Sequence, residues 1–266
     1  MGSGWLGLPV AEKLVADGYQ VKLSTTTTSR LPELEATGAS AHLVKLETVD
    51  SNMQSFLASD VLIINITSKN IEAFDLLIPA IEASTVSKVL FISSTSVYRS
   101  SNKEVSEDDG EESADSSLFQ IENLFRASDA FETTIIRFAG LVGGRRHPGR
   151  FFRNAKQVRF PEARINLIHL DDCIEVISRI IERNVWAEVF SACSDTHPLK
   201  REFYTAAANS LAMPIPDFAD SEETSFKIIN NDKMKRILGI ALKYPDMLQM
   251  LDSSDAFIID DETTSR

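Results

Sequence analysis

The chain has 266 residues, of which 43% are hydrophobic and 25% are charged, and this balance excludes a disordered or fibrous protein. Its 27 lysines and arginines against 39 aspartates and glutamates give a net charge of −12, which disfavours binding to nucleic acids and to acidic membrane surfaces. No apolar run approaches the roughly 20 residues that cross a bilayer, and Cys173 and Cys193 lack metal-ligand spacing, so we expect a cytoplasmic protein without a metal site.

Apolar strands alternate with helices along the first half of the chain. A helix follows the first glycines, and further helices are predicted at residues 52–59, 70–83 and 119–130. Strands are predicted at residues 19–24, 41–46, 60–67, 88–93 and 133–138. Because several of these strands are apolar nearly throughout, as parallel strands covered on both faces must be, the pattern predicts an α/β fold with a doubly wound parallel Rossmann sheet.

The second half of the chain has a different character. A basic, glycine-rich loop at residues 143–150 precedes predicted strands at 166–170 and 187–194 and a helix at 199–212. Asp171 or Asp172 can cap the helix that follows the first of these strands. We expect a dinucleotide-binding domain at residues 1–143, a small interleaved substrate lobe at 144–251 and a loose acidic tail at 252–266. Seven carboxylates within residues 104–115 predict a segment without regular structure.

The start of the chain carries a candidate phosphate-binding turn. Its residues match G-x-G-x-x-G and are the candidate cofactor contacts Gly2, Ser3, Gly4, Trp5, Leu6 and Gly7. The glycines allow a tight turn, a close approach of the backbone to a pyrophosphate, and close packing of the helix whose N-terminus faces the phosphates. Such a turn normally follows a strand, yet only Met1 precedes Gly2. The first strand is therefore missing from the sequence, and we expect a natural start further upstream or a truncated chain.

The end of the second strand of a Rossmann sheet bears on the choice of cofactor. In NAD-binding proteins an acidic residue there accepts hydrogen bonds from the adenosine ribose. Here residues 24–30 read STTTTSR, with hydroxyls such as that of Thr25, the cation Arg30, and no carboxylate. This composition favours NADP over NAD, although a plain polar loop is the alternative. Thr67 and Ser93, at the ends of later strands, complete the candidate cofactor contacts.

Several motifs in the right order resemble a known family. They are residues 4–9 (GWLGLP), 93–98 (SSTSVY), 137–143 (RFAGLVG), 146–152 (RHPGRFF), 166–172 (NLIHLDD) and 244–246 (YPD). Together they resemble atypical extended short-chain dehydrogenase/reductases, the NAD-dependent epimerase/dehydratase relatives, and most closely the bacterial YeeZ-like group. The resemblance covers nearly the whole chain.

The resemblance implies one hydroxyl at the reaction centre and a missing base. Ser94 would hydrogen-bond the reacting oxygen of the substrate, unless the serine only satisfies its own backbone. The family's base is the tyrosine of Y-x-x-x-K, a pattern that occurs nowhere in this chain. With Glu122 aligned to the glutamate that commonly follows, the tyrosine and lysine positions fall on Ala114 and Leu118, which cannot transfer a proton.

Three interpretations follow from that loss. In the first, the chain catalyses hydride chemistry with a substitute acid such as His147 or a water held by Ser94. In the second, it binds NADP or NAD without turnover, as a sensor or regulatory protein. In the third, it is a scaffold. As an enzyme it would be an oxidoreductase or epimerase acting on a polar, phosphorylated or nucleotide-linked small molecule. The arginines of the basic loop, Arg145, Arg146 and Arg150, would bind that phosphate or a carboxylate, or else balance the acidic segment.

Overall fold

The computed structural model of the chain describes residues 1–152, 157–220 and 224–259. Its helices are α1 (Gly7–Ala16), α2 (Leu31–Glu35), α3 (Ser51–Leu57), α4 (Ile71–Glu82), α5 (Ser117–Arg126), α6 (Leu170–Glu182), α7 (Lys200–Asn209), α8 (Asp232–Leu238) and α9 (Met247–Leu251). Its strands are β1 (Lys22–Thr25), β2 (Ser40–Leu43), β3 (Val61–Ile64), β4 (Lys88–Ser94), β5 (Glu104–Val105), β6 (Glu132–Phe138), β7 (Gly140–Val142), β8 (Leu167–His169), β9 (Val189–Ala192) and β10 (Ile228–Ile229). Short 3₁₀ turns cover Thr28–Arg30, Thr95–Val97 and Pro148–Arg150.

The chain forms two compact units. The first unit consists of Met1–Tyr98, Glu112–Arg137 and Ile174–Phe190. The second unit consists of Arg99–Glu111, Phe138–Cys173 and the described residues from Ser191 onward. This division differs from the predicted boundary at residue 143, because the chain enters the second unit twice before that position and returns to the first unit after it.

The largest sheet of the described residues lies mostly in the first unit. Strands β3, β4, β6 and β9 form one sheet in that order, and β3 runs parallel to β4 with Val61 opposite Lys88. Strands β1 and β2 form a separate parallel pair with Lys22 opposite Ser40. The α/β fold with parallel strands that the sequence predicts is confirmed, because helices separate the strands that pair side by side.

The first residues of the chain lie against β3. The backbone N–H of Asn65 donates to the carbonyl of Met1 at 2.8 Å, and the amino group of Met1 donates to the carbonyl of Ile63. The backbone N–H of Gly2 donates to the hydroxyl of Ser24 at 3.0 Å. Among the described residues no strand precedes α1. Met1 is hydrogen-bonded to β3, and Gly2 is hydrogen-bonded to Ser24 of β1.

An aromatic cluster fills the core of the first unit. Phe74 of α4, Phe91 of β4 and Phe125 of α5 are each less than 2% exposed. The rings of Phe91 and Phe125 stack at 5.1 Å, and Phe74 meets both rings edge-on at 5.9 and 5.8 Å. Burial of each ring contributes about 2–3 kcal/mol before entropy is counted. This cluster fixes α4 and α5 against the strand that ends at Ser94.

The second unit gives structure to two segments that were predicted to lack it. Strand β5, inside the acidic segment, pairs in parallel with β10, and Glu104 lies opposite Ile228. In the tail, Phe257 is 9% exposed, and the N–H of Ile258 donates to the carbonyl of Gly144 at 2.9 Å. The expectation of a loose tail is therefore wrong up to residue 258, while residues 260–266 lie outside the described residues.

Among the described helices, none is long and apolar enough to span a membrane.

Candidate dinucleotide-binding site

Two of the three glycines in the turn at residues 2–7 are packed tightly against backbone atoms. Gly2 has a φ of +95°, and a Cβ on Gly2 would lie 2.1 Å from the carbonyl oxygen of Asn65. A Cβ on Gly7 would lie 2.0 Å from the carbonyl oxygen of Gly2. A Cβ on Gly4, in contrast, would meet no heavy atom within 4 Å. Packing within the protein explains Gly2 and Gly7, whereas the open space beside Gly4 fits the approach of a pyrophosphate to the backbone.

The start of α1 keeps its partial positive charge. Among the described residues, no side chain caps the helix at Leu6, and the first turn contains no acidic residue. The amides at a helix N-terminus and the helix dipole favour a bound anion. The donor set and the open space beside Gly4 therefore fit the diphosphate of a dinucleotide.

Arg30 connects the glycine-rich turn to α2. Its Nη1 donates to the hydroxyl of Ser3 at 3.2 Å and its Nη2 to the carbonyl of Ser3 at 3.0 Å. Its Nε and Nη2 also donate to the two carboxylate oxygens of Glu33 at 3.0 and 3.2 Å. These hydrogen bonds hold the pKa of Glu33 below its usual range. The sequence placed Arg30 among the cofactor contacts but missed Glu33, although the spacing Arg30-x-x-Glu33 could have indicated the pair.

The other two candidates near the strand ends differ in exposure. The hydroxyl of Thr25 is buried and accepts from the N–H of Thr27 at 3.1 Å, so it closes its own turn. Thr67 is exposed and lies in the segment that follows β3. Of these two side chains, only that of Thr67 is accessible to a ligand.

The two serines at the end of β4 point in opposite directions, as successive strand residues do. Ser93 is 6% exposed, and its hydroxyl donates to the carboxylate of Glu122 in the core. Ser94 is half-buried, and its hydroxyl accepts from the N–H of Ser96 at 3.1 Å. A hydroxyl that accepts one bond can still donate another. Ser94 therefore retains the chemistry predicted for it, while the side chain of Ser93 serves the core.

A buried ion pair joins β6 to α5, the helix at whose start the family resemblance places the tyrosine and lysine. Leu118 lies in the first turn of α5 and Ala114 precedes the helix. Further along α5, Glu122 is 0% exposed and pairs with Arg137 of β6, which is 1% exposed. The Nη2 of Arg137 lies 2.6 Å from Oε2 of Glu122. This arrangement anchors α5 to the sheet without providing a proton donor at positions 114 and 118.

The same arginine contacts two further side chains of the first unit. Its Nη1 donates to the hydroxyl oxygen of Tyr98 at 2.8 Å and to the carboxylate of Glu112. The guanidinium carbon of Arg137 lies 4.8 Å from the centre of the Tyr98 ring. Tyr98 is 2% exposed. Tyr98 is therefore a packed structural residue, and Glu112 of the acidic segment belongs to the same buried network.

His147 is packed into the second unit. It is 3% exposed, its Nδ1 accepts from the N–H of Gly149 at 3.1 Å, and its ring lies 4.1 Å from that of Phe257. Burial, and then the charge of Arg150, lower the pKa of His147 to about 4. A histidine that stays neutral at physiological pH is a poor proton donor, so this geometry weakens the predicted catalytic role.

The three arginines of the basic loop are not equivalent. Arg145 and Arg146 are exposed in a tight turn that is closed by backbone hydrogen bonds of 3.3 and 2.9 Å between Gly143 and Arg146. Arg150 is half-buried and ends the turn Pro148–Arg150. Two of the three predicted phosphate ligands are thus accessible from solvent.

Asp172 does not have the capping role predicted for it. The helix α6 begins at Leu170, and the carboxylate of Asp172 accepts from the N–H groups of Lys243 and Tyr244 at 2.6 and 3.1 Å. Burial raises the pKa of Asp172 to about 6. Its neighbour in sequence, Asp171, pairs instead with the amino group of Lys243 at 2.8 Å. Both carboxylates therefore hold the segment after α8.

These features define the class of the protein. The chain belongs to the NAD(P)H-binding family, whose sequence profile matches residues 2–183, and it is a relative of the YeeZ proteins, as its sequence predicts. It shares the fold of a short-chain dehydrogenase/reductase superfamily protein from Agrobacterium tumefaciens, with a TM-score of 0.76 at 18% identity over 94% of this chain and 93% of that one. Protein YeeZ of Escherichia coli K12 is 30% identical to it over 94% of this chain and 97% of YeeZ.

Solved structures share the fold. A functionally unknown conserved protein from Silicibacter pomeroyi superposes with a TM-score of 0.77 at 22% identity, over 94% of this chain and 95% of its own. MoeE5 in complex with UDP-glucose and NAD superposes with a TM-score of 0.76 at 16% identity, over 94% of each chain. The architecture is therefore that of dinucleotide-binding proteins over almost the whole length of the chain.

Proposed function

We propose that this NAD(P)-binding protein catalyses an oxidoreductase or epimerase-like reaction on a polar small molecule that carries a nucleotide or a phosphate. The observation that carries the proposal is the open space beside Gly4, next to the uncapped start of α1. Both cysteines are free and buried, which supports the expected cytoplasmic location.

The choice between coenzymes depends on charge near the adenosine ribose. Arg30 is fixed to the glycine-rich turn through Ser3, and a guanidinium there favours the 2′-phosphate of NADP(H). Residues 24–30 contain no carboxylate that would accept bonds from the hydroxyls of NAD(H). On this basis NADP(H) is the preferred coenzyme, with NAD(H) as the second.

The bound coenzyme would supply or accept a hydride. The half-buried hydroxyl of Ser94 would hold the reacting oxygen of the substrate, and Arg145, Arg146 and Arg150 would bind its phosphate. MoeE5, which shares the fold, was solved with UDP-glucose and NAD. That complex supports a nucleotide-linked substrate as the first class to test.

A catalytically silent regulatory protein is the second candidate. The observation that favours it is the replacement of the family's tyrosine and lysine by Ala114 and Leu118, on a helix that the pair of Glu122 and Arg137 holds in place. In this function the dinucleotide would be sensed and not turned over.

A titration with nicotinamide coenzymes tests whether the protein binds a dinucleotide. Calorimetry with NADPH, NADH and their oxidised forms should give a measurable Kd for the wild type, and each bound form should raise the unfolding midpoint. Gly4→Ala should keep the midpoint of the free protein, because its Cβ meets open space, but should bind every form more weakly. Absence of binding by all four forms would contradict the proposal.

A second experiment separates the enzyme from the sensor. UDP-sugars and sugar phosphates are added to the protein with its oxidised coenzyme, and the absorbance of the nicotinamide reports net oxidation of each compound. Chromatography of the same mixtures detects epimers, because an epimerase returns the hydride to its product and leaves the coenzyme oxidised. Turnover that falls in Ser94→Ala supports the enzyme and the role of Ser94. Binding of dinucleotide without turnover of any compound supports the sensor.

A further inference from the structure

We propose that Glu33 is a specificity-determining residue, which offsets the positive charge of Arg30 and so limits the preference of the site for NADP(H) over NAD(H). The inference rests on the proposed binding of a dinucleotide at the glycine-rich turn. In this assignment the carboxylate of Glu33, on α2, contacts the same arginine that would bind the 2′-phosphate of NADP(H).

The geometry places this charge pair at the turn. Arg30 holds Glu33 through two hydrogen bonds of 3.0 and 3.2 Å, and it holds Ser3, the second residue of the motif, through two more of 3.2 and 3.0 Å. All three residues belong to the first unit. The guanidinium of Arg30 is thus fixed between the turn and α2. Its Nη2 donates both to Glu33 and to the carbonyl of Ser3.

Stability does not account for the pair. The side chains of Arg30 and Glu33 are 37% and 52% exposed, and ion pairs in such positions contribute little to folding. Their exposure also means that an incoming phosphate can take over the N–H groups that Glu33 now occupies. A ligand therefore competes with Glu33 for Arg30.

The charges predict the direction of the effect. NADPH differs from NADH by a 2′-phosphate with a charge of nearly −2, which Arg30 attracts and Glu33 repels. With both residues present, Glu33 partly offsets the charge of Arg30, and the preference for NADPH is reduced. Without the charge of Glu33 the cation is left alone and should favour NADPH. Without Arg30 the carboxylate is left alone, and it should repel the phosphate and accept hydrogen bonds from the ribose hydroxyls of NADH.

The helix α2 offers a matched control. Glu35 lies two residues beyond Glu33 in the same helix and is also exposed. Glu35→Gln changes the net charge of the protein by the same amount as Glu33→Gln. It leaves the hydrogen bonds of Arg30 to Ser3 and Glu33 in place.

The experiment is a calorimetric measurement of the Kd of NADPH and of NADH for four proteins: the wild type, Glu33→Gln, Glu35→Gln and Arg30→Gln. We expect Glu33→Gln to tighten NADPH by roughly three- to tenfold, as one charge removed at a solvated site should, and to leave NADH nearly unchanged. Glu35→Gln should match the wild type, and Arg30→Gln should weaken NADPH more than NADH. The gain in Glu33→Gln should shrink as salt is added, because exposed charges are screened.

The outcomes are distinguishable. Equal changes for both coenzymes in Glu33→Gln, or weaker binding of NADPH, would overturn the role of Glu33, since the residue would then only hold Arg30 in place. An equal gain in Glu35→Gln would also overturn it, because the effect would belong to the overall charge. If the wild type binds neither coenzyme, the proposed function fails, and this assignment fails with it.

Discussion

Glu122 and Arg137 form an ion pair in which both side chains are withdrawn from solvent, at 0% and 1% exposure, with Nη2 of Arg137 2.6 Å from Oε2 of Glu122. Two more bonds of 3.2 Å run from Nε of Arg137 to both oxygens of the same carboxylate. The hydroxyl of Ser93 also donates to Glu122. The carboxylate thus has several donors, which is what its burial requires.

Removal of either member of this pair should be strongly destabilising. Glu122→Leu leaves the guanidinium of Arg137 buried with the partly exposed Glu112 as its remaining carboxylate, and we expect a loss of about 3–5 kcal/mol in the free energy of unfolding. The double variant Glu122→Leu with Arg137→Met should lose less than the sum of the single losses, because it leaves no unpaired charge from either residue. Denaturant unfolding of the four proteins measures this coupling, and strictly additive losses would refute it.

Ser93 and Ser94 should respond differently to the same substitution. Ser93→Ala removes a donor to a buried carboxylate, so we expect about 1–3 kcal/mol less stability and an unchanged Kd of the dinucleotide for the folded protein. Ser94→Ala removes only an acceptor for the N–H of Ser96 in a partly exposed turn, and about 1 kcal/mol or less should be lost. Denaturant unfolding and calorimetry on both variants check the two effects. A weaker Kd in Ser93→Ala at unchanged stability would instead restore the sequence-based prediction that Ser93 contacts the cofactor.

The glycines of the turn should separate stability from binding. In Gly7→Ala the new Cβ would lie 2.0 Å from a backbone oxygen that has little room to move, and we expect a loss of about 3 kcal/mol or more. Gly4→Ala, whose Cβ meets no atom within 4 Å, should change stability by about 0.5 kcal/mol or less. Thermal unfolding of the free proteins gives the comparison. Equal destabilisation by both substitutions would mean that the space beside Gly4 is not open in solution.

The elements that the sequence predicts well are those with a strong local pattern. The apolar run at residues 88–93 matches β4, which covers Lys88–Ser94, and the predicted helix at 70–83 matches α4. Asn70 confirms the start of that helix, because its side chain accepts from the N–H of Ala73 at 3.1 Å. Period and capping are properties of adjacent residues, so one sequence is enough to find them.

The features that the sequence could not predict depend on contacts between distant segments. The strands β5 and β10 have two residues each and pair across more than 120 positions of the chain, so neither carries a recognisable period. Glu112 lies in an acidic run that is typical of disorder, yet it meets Arg137, 25 positions away. Charge repulsion within a run is visible in the sequence, whereas the arginine that relieves it is not.

His147 should make stability depend on pH below neutrality. Its pKa falls from the ordinary 6.5 to about 4 in the folded protein, so the unfolded chain binds a proton more readily than the folded chain between these values. The stability that the neutral imidazole provides is therefore fully present above pH 6.5 and is lost as the pH falls towards 4, by up to about 3 kcal/mol. Denaturant unfolding at several pH values measures the slope.

A variant isolates this contribution from the carboxylates that titrate in the same range. His147→Asn keeps an acceptor for the N–H of Gly149 but does not titrate, so its stability should fall less steeply between pH 6.5 and 4 than that of the wild type. His42→Asn, at a half-buried position, should keep most of the wild-type slope. If His147→Asn retains the full slope, the pKa of the imidazole does not change on folding and stays near the ordinary 6.5. The histidine could then be protonated near neutral pH and act as an acid. Such a result would support the predicted role of His147 in proton transfer, against which its burial argues.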